Sequence, residues 1–362
     1  MEEVAVIIIL CISVAYMTLL FFSFSRWKFE SEKINLSVLP SVTLIIPFRN
    51  EQEVLEQLFN SINQLSYSNL DVVLINDHST DDSVRIFDQF IFSKNVRLIH
   101  MKKDLTGKKQ ALTEGIANAQ SELVVFSDAD CVFTVNWIES MVTEFVRGDY
   151  DWLSGPVSHS IFPGWASYFQ KLESSYLQMI LSWCILSKIP TTCSGANIML
   201  RKKLFEELKG FQGIDGTPSG DDELFMQKAK KSGFKLGFNF SKDSLVRTQG
   251  VESFGEILNQ RLRWGSKLSH NVLPYNLLLA ALVFFFHVGS VALLILDYKL
   301  ALIVLSLRLV FEFYGMVKAI YTLKLPWRVE YFLISFFVYP LYAIFMAGYT
   351  QFKRYTWKDR KF

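Results

Sequence analysis

The chain has 362 residues, of which 51% are hydrophobic, a formal net charge of +2 and a mean hydropathy of +0.24. This apolar content exceeds that of an ordinary soluble domain, and it is concentrated at the two ends of the sequence. The small net charge argues against a nucleic-acid partner, because the basic residues cluster beside apolar segments rather than along one stripe. The four cysteines show neither a Cys-x-x-Cys spacing nor a paired framework, so neither zinc nor disulfides are indicated.

The N-terminal segment is predicted to be a membrane anchor. Residues 4–22 carry no charge, a run long enough to cross roughly 30 Å of hydrocarbon. The acidic start and the absence of a small-residue cleavage pattern favour an uncleaved anchor over a secretory signal peptide. Arg26 and Lys28 follow, and basic residues that flank a span tend to stay in the cytoplasm. We therefore expect residues 1–25 to form the anchor and the region after it to be cytoplasmic.

Three further apolar segments of spanning length are found near the C-terminus: residues 277–296, 300–321 and 331–351. The middle segment carries Arg308, Glu312 and Lys318, which are costly in lipid unless they face a protein interior or the interface. The loop after it and the C-terminal tail are both basic, which predicts a cytoplasmic position for each, yet one span lies between them. We expect the segment holding Arg308 and Glu312 to be re-entrant or interfacial. Residues 271–362 are predicted to contain two to three apolar helices and a basic tail.

The central region, residues 26–270, is predicted to be one α/β domain with a mostly parallel sheet. Its sequence alternates between strand and helix patterns, which is typical of such a sheet covered by helices. The predicted strands are 42–47, 70–76, 96–100 and 123–127, and the predicted helices are 51–65, 81–92 and 108–119. No Gly-x-Gly-x-x-Gly follows the first strand and no Gly-Lys-Ser/Thr loop occurs, which weakens dinucleotide and P-loop interpretations.

A carboxylate pair, Asp128 and Asp130, directly follows the fourth predicted strand. Ligands bind at the carboxyl ends of strands in open α/β sheets. Two acids one residue apart can hold a hard divalent cation such as Mg²⁺ or Mn²⁺, which in turn can neutralise a diphosphate. The alternative is a solvated acidic turn. The placement after a buried strand favours a transferase that acts on a nucleotide diphosphate.

Seven motifs together resemble those of family 2 glycosyltransferases, which have the GT-A fold. In chain order they are residues 44–51, 75–81, 107–112, 127–130, 195–201, 220–223 and 260–264. The resemblance covers about two thirds of the chain with the motifs in the right order. Each motif is weak alone, whereas the ordered set is specific.

The resemblance implies a nucleoside pocket at the ends of the first two strands. Asp77 corresponds to an acid that binds the uracil ring, and Glu51 with the backbone of Pro47 and Arg49 would line the pocket. A carboxylate can accept a hydrogen bond from an imide N–H, which suits uridine. The alternative for Asp77 is a turn or capping residue before the helix at 81–92.

The resemblance also implies which residues bind the metal and the phosphates. Asp130 would be the direct ligand of Mg²⁺ or Mn²⁺, and Asp128 would serve the metal together with the ribose or uracil. Lys108 opens a predicted helix whose N-terminus favours anions, so it is a candidate for phosphate binding. Its alternative is an exposed lysine at a helix start.

Inversion at the anomeric carbon requires a base that deprotonates the acceptor hydroxyl. The family usually has Glu-Asp at the motif where this chain has Asp221 and Asp222, so the role of base carries over to Asp222. Asp221 is shorter than the usual Glu. The alternative is helix capping, because residues 219–223 also open the predicted helix 224–229.

Gln260, Arg263 and Trp264 resemble the Q-x-x-R-W motif of membrane-integrated members of the family. An arginine can stabilise the departing diphosphate, and a tryptophan offers a stacking face to an acceptor. The alternative is an interfacial helix whose Arg and Trp lie at headgroup level.

These inferences predict an inverting, metal-dependent glycosyltransferase. The protein is expected to be a multi-pass membrane protein, in the plasma membrane if it is bacterial, with its catalytic domain in the cytoplasm. A UDP-sugar is the expected donor, and a membrane-borne lipid or lipid-linked molecule is the expected acceptor because few spans are available for a channel. A processive polysaccharide synthase is the alternative. A nucleotidyltransferase would not require Asp222 and the motif at 260–264, and a noncatalytic membrane scaffold would predict loss of Asp130 or Asp222, which are both present.

Overall fold

The computed structural model describes residues 2–27, 39–216, 220–265, 274–352, 356–357 and 360–361. Lys28, Ser219 and most of the basic tail, which enter the sequence interpretation above, lie outside the described residues. The helices are, in chain order, α1 (Glu2–Arg26), α2 (Leu55–Asn63), α3 (Ser83–Gln89), α4 (Lys108–Asn118), α5 (Trp137–Arg147), α6 (Trp165–Leu186), α7 (Lys202–Glu207), α8 (Glu223–Lys231), α9 (Phe254–Gly265), α10 (Pro274–Leu296), α11 (Tyr298–Leu323) and α12 (Val329–Phe352). The strands are β1 (Val42–Phe48), β2 (Leu70–Asn76), β3 (Asn95–His100), β4 (Leu123–Phe126), β5 (Trp152–Ser154), β6 (Val157–His159), β7 (Ile198–Arg201), β8 (Leu236–Phe238), β9 (Val246–Thr248), β10 (Thr356–Trp357) and β11 (Arg360–Lys361).

The chain forms two compact units. The sheet unit comprises Phe29–Ser160 and Ile185–Gln249, and the terminal-helix unit comprises Met1–Lys28, Ile161–Cys184 and Gly250–Phe362. Most of α6 and all of α9 lie within the predicted 26–270 domain but are grouped with the terminal helices. The compact units therefore cut across the linear division at residues 25 and 270.

The sheet unit is built on a seven-stranded sheet with the order β3-β2-β1-β4-β7-β5-β8. Strands β1 to β4 pair in parallel, and β7 is antiparallel to both β4 and β5. The predicted mostly parallel sheet with flanking helices is confirmed. Two helices are shorter than predicted, because the chain after β1 becomes helical only at Leu55 and the helix after β2 spans only Ser83–Gln89.

The buried strands follow from their composition. The β1 residues Val42, Leu44 and Ile46 are fully buried, as expected for parallel strands covered on both faces, which are continuous apolar runs rather than alternating ones. Leu58 of α2 and Trp137 of α5 belong to the same hydrophobic cluster. This packing fixes the strand ends on which the polar motifs are carried.

The strand order places a topological switch point between β1 and β4. From β1 the chain adds β2 and β3 on one side and then returns to add β4 on the other side. In open α/β sheets the crevice at the carboxyl ends of such neighbouring strands is where ligands bind. The residues that follow β1, β2 and β4 are the predicted site motifs, so the fold brings them to one edge of the sheet.

The terminal-helix unit contains four helices that are long and apolar enough to cross a membrane, by length and composition: Glu2–Arg26, Tyr275–Leu296, Tyr298–Leu323 and Val329–Thr350. Within this unit, α6, α9 and α12 share a hydrophobic cluster centred on Phe169, Ile257, Tyr342 and Met346. All three predicted C-terminal apolar segments are thus helical.

Helix α11 is a continuous helix of 26 residues, which differs from the re-entrant form of the expected segment, while its interfacial position stays a prediction. Its charges are paired inside the unit. Arg308 Nε donates to Glu312 Oε1 at 2.7 Å, and Arg308 Nη2 donates to the Phe336 carbonyl at 2.9 Å. Because residues four apart lie on the same helix face, the two charges neutralise each other without a break in the helix.

Candidate active site

The carboxylate pair lies in a tight turn after β4. The Ser127 hydroxyl, fully buried, donates to the Ala196 carbonyl at 2.7 Å and so ties the end of β4 to the loop before β7. The Cys131 N–H donates to the Asp128 carbonyl at 3.2 Å, which closes the turn. Asp128 and Asp130 both remain partly exposed. The turn therefore presents two carboxylates at the carboxyl edge of the sheet.

Asp130 is held by a residue that the sequence interpretation missed. Its Oδ2 atom accepts a hydrogen bond from the Thr248 hydroxyl at 2.8 Å. The Cys131 thiol lies 3.7 Å from the other oxygen, and burial together with the negative charges of Asp130 and Asp128 raises the pKa of this thiol well above its ordinary value. Thr248 ends the three-residue strand β9, which is too short to show a periodic pattern, so no local signal pointed to it.

Lys108 joins two of the predicted motifs. Its Nζ atom lies 2.6 Å from Asp128 Oδ1 and 3.1 Å from Asp221 Oδ2. Burial by itself lowers the pKa of the Lys108 ammonium, but the carboxylates of Asp128, Asp221 and Asp222 outweigh burial and raise it above the ordinary value. Lys108 is therefore a charged member of the site and not an exposed lysine at a helix start.

Asp222 occupies the N-cap of α8, which confirms the capping interpretation. Its Oδ1 accepts from the Glu223 N–H at 2.7 Å, and its Oδ2 accepts from the Gly195 N–H at 3.0 Å. A Cβ at Gly195 would lie 3.1 Å from Lys108 Nζ, a tight contact, and 3.4 Å from Asp222 Oδ2, an ordinary one. The structure thus brings together Lys108, Asp128, Asp221 and Asp222, while the role of base stays a prediction.

Asp77 is buried at the end of β2 with one oxygen occupied. Its Oδ2 accepts from the Gly107 N–H at 3.0 Å, and its Oδ1 has no hydrogen-bond partner among the described residues. The turn after β2 is instead stabilised by Asn76, whose Oδ1 accepts from the Ser79 N–H at 2.9 Å. Gly107, at φ +96°, is in a backbone conformation that favours glycine. The side chain of Asp77 is therefore not engaged in capping its own turn.

The other predicted pocket residues lie at the same strand ends. Arg49 donates from Nη1 to the Asp77 carbonyl at 3.0 Å, and the Glu51 N–H donates to the Ser83 hydroxyl at 2.9 Å. Pro47 lies within β1, where it pairs in register with Ile75 of β2. These bonds join the loop after β1 to the loop after β2, and both loops border the crevice.

Gln260, Arg263 and Trp264 lie on α9 in the terminal-helix unit. Gln260 Oε1 accepts from Gln170 Nε2 of α6 at 3.1 Å and from Arg261 Nη1 at 2.6 Å. The roles that the resemblance gives to these three residues stay predictions.

Arg261, a variable position inside the motif that the sequence interpretation passed over, anchors α9. It is almost fully buried, donates from Nε to Glu173 Oε2 of α6 at 3.0 Å, and lies 4.0 Å from the centre of the Trp264 ring. Burial by itself lowers the pKa of its guanidinium, but the Glu173 carboxylate outweighs it and raises the pKa. The α6–α9 pairing within this unit therefore rests on a buried ion pair.

The carboxylates of Asp128 and Asp130 are compatible with a metal ion that is bound jointly by the protein and a substrate. In the part of the chain that the structure describes, no three or more His, Cys, Asp or Glu side chains gather into a metal-binding group. Mg²⁺ is usually held by one or two carboxylates together with substrate phosphates rather than by an all-protein cage. Asp128 and Asp130 fit that arrangement, with oxygen ligands at the exposed edge of the sheet.

Comparisons with known proteins find similarity to glycosyltransferases. The sequence model of Glycosyl transferase family 2 matches residues 43–209. Glycosyltransferase AglE of Haloferax volcanii is 24% identical over 231 residues, which cover 63% of this chain and 73% of AglE. A poly-beta-1,6-N-acetyl-D-glucosamine synthase of Staphylococcus epidermidis is 23% identical over 237 residues, which cover 64% of this chain but only 55% of the synthase.

Among solved structures, the mannosyltransferase PcManGT from Pyrobaculum calidifontis, in complex with GDP-Man and Mn²⁺, matches 97% of this chain and 99% of its own, with a TM-score of 0.62 and 18% identity. At that identity the match establishes the fold. The matched family region contains β1, β2, β4 and the Asp128–Asp130 turn. The chain thus contains a domain that matches Glycosyl transferase family 2 over residues 43–209, and it has the GT-A fold.

Proposed function

We propose that this protein is an inverting, metal-dependent transferase that moves a sugar from a UDP-sugar to a membrane-borne lipid or lipid-linked acceptor, with its sheet unit in the cytoplasm. The observation that carries the proposal is the cluster of Asp128, Asp221 and Asp222 around Lys108 at the carboxyl edge of β4. The cluster combines carboxylates for a cation, an ammonium for a phosphate and a carboxylate for a proton.

The preference for uridine rests on Asp77. A buried oxygen without a partner costs about 1–3 kcal/mol, and a ligand that donates one hydrogen bond removes that cost. Uracil presents a single imide N–H, which matches the single unpartnered oxygen. Guanine presents two adjacent donors, and the second would have to share Asp77 Oδ2 with the Gly107 N–H.

The diphosphate would be bound at the Asp128–Asp130 turn and at Lys108. A Mg²⁺ or Mn²⁺ ion held by these carboxylates would neutralise phosphate charge. Lys108 is the first residue of α4, so its ammonium and the helix N-terminus both favour an anion. An incoming diphosphate would compete with Asp128 and Asp221 for the Lys108 ammonium.

Asp222 is the proposed base. Its two hydrogen bonds from backbone N–H groups favour the ionised carboxylate and fix its orientation. In the proposed step the acceptor hydroxyl gives its proton to Asp222, and its oxygen bonds to the anomeric carbon. The bond from that carbon to the diphosphate breaks, and the electron pair leaves with the diphosphate.

The acceptor is proposed from the membrane region. Four helices are long and apolar enough to span a bilayer, which supports a protein at a membrane surface, where a lipid acceptor would be available. A processive polysaccharide synthase is the second candidate, because a relative named poly-beta-1,6-N-acetyl-D-glucosamine synthase aligns with 64% of the chain. The aligned region spans 55% of that relative.

The proposal is tested by calorimetric titration of UDP, GDP and ADP onto the full chain in detergent, with and without Mn²⁺. We expect UDP to bind selectively and only with Mn²⁺. Selective GDP binding would replace the donor by a GDP-sugar, as in the Pyrobaculum enzyme solved with GDP-Man. Binding of none of the three would overturn the proposal in favour of a noncatalytic scaffold.

A further inference from the structure

The segment that carries Asp130 is joined to the strand β9 region at alternate residues. Asp130 accepts from the Thr248 hydroxyl, and Val132 exchanges two backbone hydrogen bonds with Arg247, at 2.7 and 3.0 Å. The Thr134 hydroxyl then donates to the Asp243 carbonyl. The spacing of two is that of an extended chain, so residues 130–134 lie along the segment 243–248 as an irregular antiparallel pair.

Thr248 has little freedom to move away from Asp130. Its strand pairs in parallel with β6, and its carbonyl accepts from the Ser160 N–H at 2.9 Å. The neighbouring Arg247 is fixed on its other edge by Val132. Threonine is branched at Cβ, which restricts its χ1 rotamers, so the backbone largely determines where the hydroxyl points.

We infer that Thr248 is a positioning residue for the metal: its hydroxyl holds the Asp130 carboxylate in the orientation that binds the divalent cation of the donor complex. The inference rests on the proposed function. An unrestrained aspartate side chain must lose rotamer freedom when it coordinates a metal, and a hydrogen bond to one of its oxygens removes part of that cost beforehand. Loss of such an outer partner typically lowers metal affinity about 10–100-fold.

The Cys131 thiol is the competing candidate for this task. It lies 3.7 Å from Asp130 Oδ1, but a thiol is a weak donor, whereas the Thr248 hydroxyl is a strong one at 2.8 Å. The inference therefore predicts that the hydroxyl matters and the thiol does not. Cys131→Ala is the matched control, because it removes a second side-chain contact of the same carboxylate.

The test compares Thr248→Val, which keeps the shape without the hydroxyl, with Thr248→Ser, which keeps the hydroxyl without the methyl group. Full-length protein in detergent is titrated with Mn²⁺ at fixed UDP, and free Mn²⁺ is followed by electron paramagnetic resonance. We expect Thr248→Val to weaken Mn²⁺ binding about 10–100-fold, and Thr248→Ser and Cys131→Ala to stay near wild type. If Thr248→Val does not fold, Thr248→Ala, which also lacks the hydroxyl, is compared with Thr248→Ser instead.

Two results would overturn the inference while the proposed function stands. Either Thr248→Val binds Mn²⁺ as wild type does, or Thr248→Ser loses as much affinity as Thr248→Val, which would make the methyl packing responsible. Failure of the proposed function has a different signature: the wild-type protein itself would show no Mn²⁺-dependent UDP binding. Asp130→Ala serves as the reference for complete loss of the metal dependence.

Discussion

The ammonium of Lys108 lies 2.6 Å from a carboxylate oxygen of Asp128, so helix α4 and the turn after β4 are joined by an ion pair. Asp221, next to the proposed base, is the second partner of the same ammonium at 3.1 Å. One lysine thus links the groups proposed to bind the metal, the diphosphate and the acceptor proton. Replacing Lys108 would therefore change the local charge around all three of these positions.

We expect Lys108→Met to weaken Mn²⁺-dependent UDP binding about 10–100-fold. The reason is that hydrogen bonds to charged groups contribute about 1.5–3 kcal/mol, and the variant also leaves neighbouring carboxylates without their cation. Calorimetric titration measures the affinity. Lys103→Met, an exposed lysine in the loop before α4, is the matched control and should bind UDP as wild type does. Equal affinity in the two variants would remove Lys108 from the donor site.

The pH dependence of stability provides a separate check on Lys108. Its pKa is raised above the ordinary value of 10.5, so its contribution to stability is fully present below pH 10.5 and is lost as the pH rises through the folded-state pKa. We expect thermal unfolding measured from pH 9 upward to show an alkaline loss of stability that is smaller in Lys108→Met. Identical alkaline profiles would show that the ion pairs do not contribute.

Asp222→Asn should abolish sugar transfer while UDP binding stays nearly intact. The amide cannot take the acceptor proton, whereas the donor contacts lie elsewhere in the site. Because Asp222 caps α8, a loss of about 1 kcal/mol of unfolding free energy is expected and must be measured beside activity. Asp221→Asn is the comparison variant, because it removes one carboxylate partner of Lys108 but leaves Asp222 as the N-cap of α8. Parallel loss of transfer and UDP binding in Asp222→Asn would contradict the assignment of the base.

Asp77→Asn should reduce UDP affinity about 10–100-fold, because an amide group then faces the uracil ring in place of a charged hydrogen-bond acceptor. A chemical double-mutant cycle makes the test specific. UDP methylated at the imide nitrogen should bind wild type poorly, and the variant should discriminate little between methylated and unmethylated UDP. Full discrimination in the variant would show that another group recognises the imide.

Glu312→Gln should destabilise the terminal-helix unit by about 3–5 kcal/mol, since it leaves the fully buried Arg308 without its counter-charge. The double variant Arg308→Met with Glu312→Leu should recover much of that loss, because apolar residues of similar size can replace a buried ion pair. Thermal unfolding in detergent measures both. A double variant less stable than Glu312→Gln would show that the pair is worth more than the apolar packing that replaces it.

Long-range features of the fold were predictable where the sequence has long uniform patterns. Strands β1, β2 and β4 are continuous apolar runs with polar motifs directly after them, so the sheet and the gathering of these motifs at one edge could be inferred. The three-residue strands such as β9 are too short for periodicity, and so the contact between Thr248 and Asp130, far apart in sequence, left no local trace. In α11 the charges of Arg308 and Glu312 led to the expectation of a re-entrant or interfacial segment, whereas the structure shows a continuous helix in which the two residues form an ion pair.

Gly195 has a consequence for how this site can be altered. Its backbone lies where a side chain would touch Lys108, Asp221 and Asp222, at 3.1, 3.5 and 3.4 Å from the Cβ position. Only the contact with Lys108 would be tight, and Gly195 has no left-handed backbone angle. One methyl group at Gly195 would move the Lys108 ammonium by a few tenths of an ångström without changing any charge, so it would separate the effect of distance from the effect of charge in this enzyme.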